Sequence, residues 1–417
     1  MKNVVSLLVV LLVISSICLT SCGSKGSNQS TSSKNVSSNS QSSNSEGNAN
    51  NQEDTNTGDG EYTYEPVDFE ISASVNFLNG EDYSVFTDET KSSSVGNVGL
   101  VNSDGKVTID TIYDNITVPC DGYVICSKPN NSVEISTVDG KVIKKYDFSS
   151  GNGGSISIEP FSEGLGFIHY DNKNICVNTE GKKIFETQLE YGKPFTNGVA
   201  VFYDWGESFG NDDKYIVALD TNGNELWRKS ANLSNTILRN SGNDDIIIYQ
   251  STENELYGAI DVKGNEVIPC KYDKLTLPGN NKIGFKKYGL WGYMDYEGNE
   301  VIKPQFSEAN EFKGGVALVK TKDGDYSIIN EKGDVQFTCD SDSITYFDNG
   351  LILDSGIRLL DSKGNVIYDA DSSKNDDARI YGGSGKVGIS YDGGSIFYEW
   401  DRSDSPTSYK YFKLIKK

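Results

Sequence analysis

Met294-Asp295-Tyr296-Glu297-Gly298-Asn299 lies between two short apolar runs, Leu290-Trp291-Gly292-Tyr293 before it and Val301-Ile302 after it. An Asp opening a turn accepts a hydrogen bond from its own backbone two residues on. A Gly three residues later takes the left-handed conformation that closes a type I turn with a bulge. Short, Val/Ile-rich flanks suit strands rather than helices. The stretch therefore reads as a β-hairpin.

The same hairpin recurs along the chain. Its other instances are Leu100-Val101-Asn102-Ser103-Asp104-Gly105, Ile135-Ser136-Thr137-Val138-Asp139-Gly140 and Val177-Asn178-Thr179-Glu180-Gly181. Leu219-Asp220-Thr221-Asn222-Gly223 and Ile260-Asp261-Val262-Lys263-Gly264 follow, and then Ile329-Asn330-Glu331-Lys332-Gly333 and Leu360-Asp361-Ser362-Lys363-Gly364. The eight turn glycines are spaced 35, 41, 42, 41, 34, 35 and 31 residues apart. Self-similarity at such a period marks a repeat architecture. A second element, Phe-x-x-Gly, starts at Phe161, Phe195, Phe312 and Phe347 and leads into a further apolar run. A third is an aromatic eight residues after the turn Gly: Tyr113, Tyr272 and Phe306. Each period thus holds three or four short strands, the content of a propeller blade. The fold expected is all-β, a β-propeller-like array of about seven or eight three- to four-stranded repeats. The alternative is an open β-solenoid or array of hairpins. Closure needs the two ends of the array to meet, because open sheet edges invite aggregation. Residues 62–95 and 379–415 carry the alternating patterns that could supply it.

Gly289-Leu290-Trp291-Gly292-Tyr293-Met294-Asp295, running on to Val319, resembles a WG-repeat unit. Tyr257-Gly258-Ala259-Ile260-Asp261 and Val98-Gly99-Leu100-Val101-Asn102 keep a weaker version. The remaining units place Glu134, Ile175, Val217, Ser327 or Arg358 where these have the second Gly. The resemblance covers roughly residues 96–370. It implies a propeller-like scaffold, often on secreted or surface-anchored bacterial proteins, and implies no activity.

The N-terminus reads as an address. Lys2 precedes an apolar stretch, Val4 to Ile17, that is short for a membrane span. It ends Leu19-Thr20-Ser21-Cys22, which resembles a lipobox. The resemblance implies a signal peptide over residues 1–21 and a diacylated Cys22 at the start of the mature protein. Residues 22–61 then form a linker whose only apolar residues beyond Cys22 are Val36 and Ala49. Such a composition cannot offset the entropy of ordering. A flexible coil of that length reaches roughly 35 Å. Residues 62–417 are expected to form the repeat domain, on the extracytoplasmic face of the cell membrane.

The composition limits the chemistry. With 60 acidic and 38 basic side chains the net charge is -22, which argues against nucleic acid as a partner. No phosphate-binding loop, nucleophile elbow or zinc motif is present in the sequence. The single His, His169, lies in a strand-like run and reads as a polar position on a blade. Cys120, Cys126, Cys176, Cys270 and Cys339 contain no CxxC pair and read mostly as free thiols in strands. The Asp-x-Asn-Gly-Asn run at Asp220 lacks the later ligands of a calcium loop, so a hairpin turn accounts for it. Trp205, beside Tyr203 in a polar, Gly-rich insertion, is the best candidate for an exposed aromatic. These two are the candidate ligand-binding residues, for an unknown protein or an envelope glycan. No catalytic residue, metal or cofactor is expected. The function expected is noncatalytic binding by a membrane-anchored protein. The alternatives are a glycosidase-like hydrolase using acidic residues of the propeller channel, and a structural spacer.

Overall fold

The computed structural model describes residues 62–417 except 76–81, 89, 92–95, 149–154, 207–213, 237–244, 340–342, 348, 356, 370–385, 390–395 and 402–407. Cys22, the signal segment and the linker lie outside the described residues. Among the described residues, helix is confined to the 3-10 turn Leu233–Asn235. No helix among them is long and apolar enough to cross a membrane.

The strands form nine antiparallel sheets among the described residues. Eight follow the chain in order and are lettered here B (83–113), C (115–147), D (157–187), E (190–230), F (246–272), G (274–306), H (308–339) and I (344–369). B and F have three strands and the others four. Sheet A joins the first and last described strands: Tyr62–Val67 pairs with Ser408–Lys416, which pairs with Ile396–Asp401 and then Lys386–Ile389. The eight turn glycines thus account for B to I. The ninth sheet combines the consecutive strands Lys386–Ile389, Ile396–Asp401 and Ser408–Lys416 with the distant strand Tyr62–Val67, in the two regions whose alternating patterns the sequence offered for closure.

Each sheet packs on both neighbours through a separate hydrophobic cluster. Leu100 and Tyr113 of B meet Val124 and Cys126 of C, and Ile125 and Ile135 of C meet Ile158 and Phe161 of D. The same contact repeats from D to E, E to F, F to G, G to H and H to I. Sheet I packs Phe347 and Leu359 against Tyr64 and Phe412 of A. Sheet A packs Tyr411 against Phe86 and Val101 of B. The ring therefore closes, and the fold is a β-propeller. The Phe-x-x-Gly residues Phe161, Phe195, Phe312 and Phe347 are among its most buried side chains. Each contributes about 1.5–3 kcal/mol through burial.

The left-handed turn glycine holds at every repeat, but the bond expected two residues on does not. The eight turn glycines have φ between 72° and 86°. The opening side chain accepts from the backbone four residues on in all eight turns, from Asp295 Oδ1 at 2.7 Å to Thr137 Oγ1 at 3.2 Å. The bond two residues on is confined to some turns, such as Asn222 N to Asp220 Oδ1 at 2.8 Å. The turn then lies on the outer strand of the preceding sheet. Trp227 of E, for example, donates from Nε1 to Val262 O in F at 2.9 Å.

The second Gly of the WG pattern has a local cause. In B, Val98 pairs with Tyr113 and Leu100 with Ile109. In F, Tyr257 pairs with Tyr272 and Ala259 with Ile268, and in G, Trp291 pairs with Phe306 and Tyr293 with Ile302. Two extra residues of the last strand therefore bulge over Gly99, Gly258 and Gly292. A Cβ there would lie 2.7, 2.6 and 2.5 Å from the carbonyl oxygens of Ile109, Ile268 and Ile302. Where the third strand instead carries Glu134, Ile175, Val217, Ser327 or Arg358, the last strand pairs without that bulge. The bulged strand also ends in the aromatic and reaches the next sheet after a single residue: Asp114, Asp273 or Ser307.

Candidate functional site

The unbulged sheets leave longer connections, and one of them helps build a groove. In sheet D the turns 162–165 and 178–183 lie at one end of the strands. The turn Asp171-Asn172 and the connection Gln188-Leu189 to sheet E lie at the other. At the first end neighbouring sheets are tied together. Glu163 accepts from Asn197 N and Gly198 N at 2.8 Å each, and Asn280 Oδ1 accepts from Gly315 N at 2.9 Å. At the second end sheets D and E part to leave a cavity of about 800 Å3. That size lies within the range of small-molecule sites.

Its walls come from strand ends. His169 is the last residue but one of the second strand of D, and directly across it are Ser157 and Asn174. Glu159 comes from the first strand of D and Thr187 from its last. Sheet E supplies Glu190, which pairs with Tyr203, followed by Asp204 and Trp205. The two residues singled out by sequence, Tyr203 and Trp205, thus line one groove, and His169 joins them there. Their rings lie 6.1 Å apart at 40°. Trp205 is 39 % exposed, while Tyr203 is half-buried and donates to Thr236 O at 3.3 Å.

Polar bonds fix the rest. Asp204 Oδ1 accepts from Gly206 N at 3.0 Å, and Oδ2 pairs with Arg228 Nη1 at 3.4 Å. Arg228 also pairs with Glu225 at 2.7 Å. Lys214 Nζ lies 5.5 Å from the Trp205 ring centroid, a cation–π contact. Asn174 is 1 % exposed and donates from Nδ2 to Leu189 O at 2.7 Å. Its Oδ1 has no hydrogen-bond partner among the described residues. A buried amide oxygen left so carries a desolvation cost that a donor would relieve.

The other sequence candidates lie elsewhere. The sequence also holds the acidic pairs Asp212-Asp213, Asp244-Asp245 and Asp376-Asp377, of which all but Asp245 lie outside the described residues. Asp245 Oδ2 accepts from Asn197 Nδ2 at 2.6 Å, at the end of the ring away from the groove. Trp291 packs, partly buried, against the core between G and H. Cys126 and Cys176 are buried free thiols, and Cys270 and Cys339 are partly buried ones. No group of three or more His, Cys, Asp and Glu side chains that could hold a metal occurs among the described residues. Sequence reasoning missed Glu159, Asn172, Asn174, Gln188 and Glu190. Gln188 and Glu190 lie in the repeat that holds Tyr203 and Trp205, between turn glycines 42 residues apart, whereas Glu159, Asn172 and Asn174 lie in the repeat before it, which carries no such signal.

Residues 257–291 and 291–324 match the family described as WG containing repeat. The chain carries WG repeats. The two matched units include Gly258 and Gly292, which lie under the bulges of sheets F and G. No curated protein matches the chain. Among solved structures, the ring is similar to a eukaryotic initiation factor at 10% identity, covering 73% of this chain and 89% of that one, with a TM-score of 0.48. It is similar to BamB from Moraxella catarrhalis at 12% identity, with 72% and 93% covered and a TM-score of 0.37. It is similar to the Dos1 propeller at 9% identity, with 84% and 95% covered and a TM-score of 0.35. These are likenesses of fold.

Proposed function

We propose that this WG-repeat protein is a noncatalytic binding protein, anchored through lipid on Cys22 at the extracytoplasmic face of the membrane. Its ligand would sit in the groove between sheets D and E. The anchor rests on Leu19-Thr20-Ser21-Cys22 and the polar linker that follows. The binding role rests on one observation above all. An exposed Trp and a half-buried Tyr share a groove with a buried amide whose oxygen has no hydrogen-bond partner among the described residues. Exposed aromatics beside convergent polar groups are the usual makings of a recognition site. A repeat ring suits the role, since its sheets hold the groove's walls in fixed positions.

The test compares the full-length protein with Trp205→Ala on fractionated envelope from the source cells, in a detergent without a sugar headgroup. Saturable retention on one fraction, lost in Trp205→Ala, is the expected result. Equal retention of both proteins would remove the groove from the account. Labelling with a palmitate analogue, abolished by Cys22→Ala, checks the anchor separately.

A further inference from the structure

We infer that the groove takes a neutral, hydroxyl-rich glycan, stacked on Trp205; this rests on the groove being the ligand site. Three features of the site point there, and they act together.

Charge excludes the anionic ligands. Glu159, Glu190 and Asp204 line the groove, with no Lys or Arg among the lining residues. Phosphate-bearing polymers and acidic sugars would meet like charge there, on a chain whose net charge is -22. In-chain cations already use what a cationic ligand would seek. Arg228 pairs with Asp204, and Lys214 lies over the Trp205 ring. A ligand ammonium would have to displace one or both.

Hydrogen-bonding capacity favours hydroxyls. Asn172 and Gln188 present amides that both donate and accept, on the rim of the groove. Asn174 is fixed by its bond to Leu189 O, so its free Oδ1 can act only as an acceptor. A hydroxyl donates to such an oxygen while accepting from a neighbouring amide, which matches this mixed lining. A site built to pair hydroxyls discriminates strongly against ligands lacking them, because its own polar groups are then left unpaired.

Shape supplies the third feature. A pyranose ring has one face made of C–H groups, which packs on the flat, electron-rich face of an indole. Trp205 offers such a face on the side of its ring that Lys214 does not cover, with Tyr203 beside it.

The experiment is calorimetric titration of the full-length protein, in a detergent without a sugar headgroup. The probes are chitotetraose, cellotetraose and maltotetraose, with tetralysine as the cationic comparison. Saturable binding of at least one tetrasaccharide is expected, insensitive to added salt. Trp205→Ala should weaken it about tenfold or more, whereas Trp205→Phe, which keeps an aromatic face, should retain most of it. Asn174→Ala should weaken it as well, with thermal unfolding of each variant confirming the fold. If no tetrasaccharide binds but tetralysine or an envelope polypeptide binds in a Trp205-dependent way, the glycan assignment fails and the groove reading stands. If no ligand shows Trp205-dependent binding, both fail.

Discussion

Glu134 offers a quantitative test of how the sheets are joined. It sits on the third strand of C, at the position where B, F and G have the WG glycine. Its side chain is 3 % exposed and accepts from Lys128 Nζ and Lys145 Nζ, each at 2.8 Å. It also accepts from the hydroxyl of Tyr113, the aromatic that ends the bulged strand of B, at 2.7 Å. Burial alone would push this carboxyl upward, but the three hydrogen bonds together outweigh it and hold the group down at about 2. The unfolded value is near 4.3. Because the folded value is the lower one, the network stabilises the ring above about pH 4.5, and this contribution is lost as pH falls toward 2. A difference of about two units corresponds to about 3 kcal/mol at pH 7. Glu134→Gln keeps the shape and removes the charge, leaving Lys128 and Lys145 without their carboxylate. Denaturant unfolding of both proteins at pH 7, 4 and 2.5 gives the difference directly. It should be about 2–3 kcal/mol at pH 7 and shrink to a fraction of that at the lowest pH. Other acids titrate in both proteins and cancel in the difference. A gap that stays constant from pH 7 to 2.5 would refute the reasoning, since packing rather than charge would then carry the cost.

Three other outcomes follow from the geometry. Gly292→Ala would drive a Cβ against Ile302 O and should destabilise the ring by about 1–3 kcal/mol; the reciprocal Ser327→Gly, in the unbulged sheet H, should cost no more than about 1 kcal/mol in the same unfolding assay. At the seam, Tyr411 accepts from Ala73 N at 2.9 Å and donates to Ala73 O at 2.6 Å. Tyr411→Phe strands that buried N–H and should lower stability by about 1–3 kcal/mol, read as an earlier denaturant midpoint. The Cys126 and Cys176 thiols are pushed up to about 12, by burial in both cases; mass spectrometry after iodoacetamide at pH 8 should find them unmodified in the native protein and modified after denaturation.

The hairpins were legible in the sequence because an Asp or Asn and a Gly act within five residues of each other. The WG glycine was visible, and so were Tyr113, Tyr272 and Phe306, but their connection was not. They belong to the same three sheets because one bulge demands both: the Gly to clear the Ile109, Ile268 or Ile302 carbonyl, the aromatic to end the lengthened strand. Read together, a Gly six residues before the turn Gly and an aromatic eight after it mark a sheet that joins the next without a loop. The ninth sheet lacks that Gly and aromatic pair, but the alternating patterns in 62–95 and 379–415 marked the regions that build it; the pairing of Thr63 with Ile415 within them has no local record. Trp205 and Tyr203 stood out because aromatics in a polar insertion are unusual. Asn174 and Glu159 did not, since a polar residue on a strand looks alike whether it faces solvent or a groove.

The central claim is that this ring recognises its ligand between sheets D and E. Hydrogen–deuterium exchange of the full-length protein, with and without the envelope fraction that retains it, tests this most directly. The account expects added protection at residues 157–159, 169–174 and 187–206, with the amides of sheets G, H and I unchanged. Protection centred on G, H or I, with 187–206 exchanging as before, would contradict it.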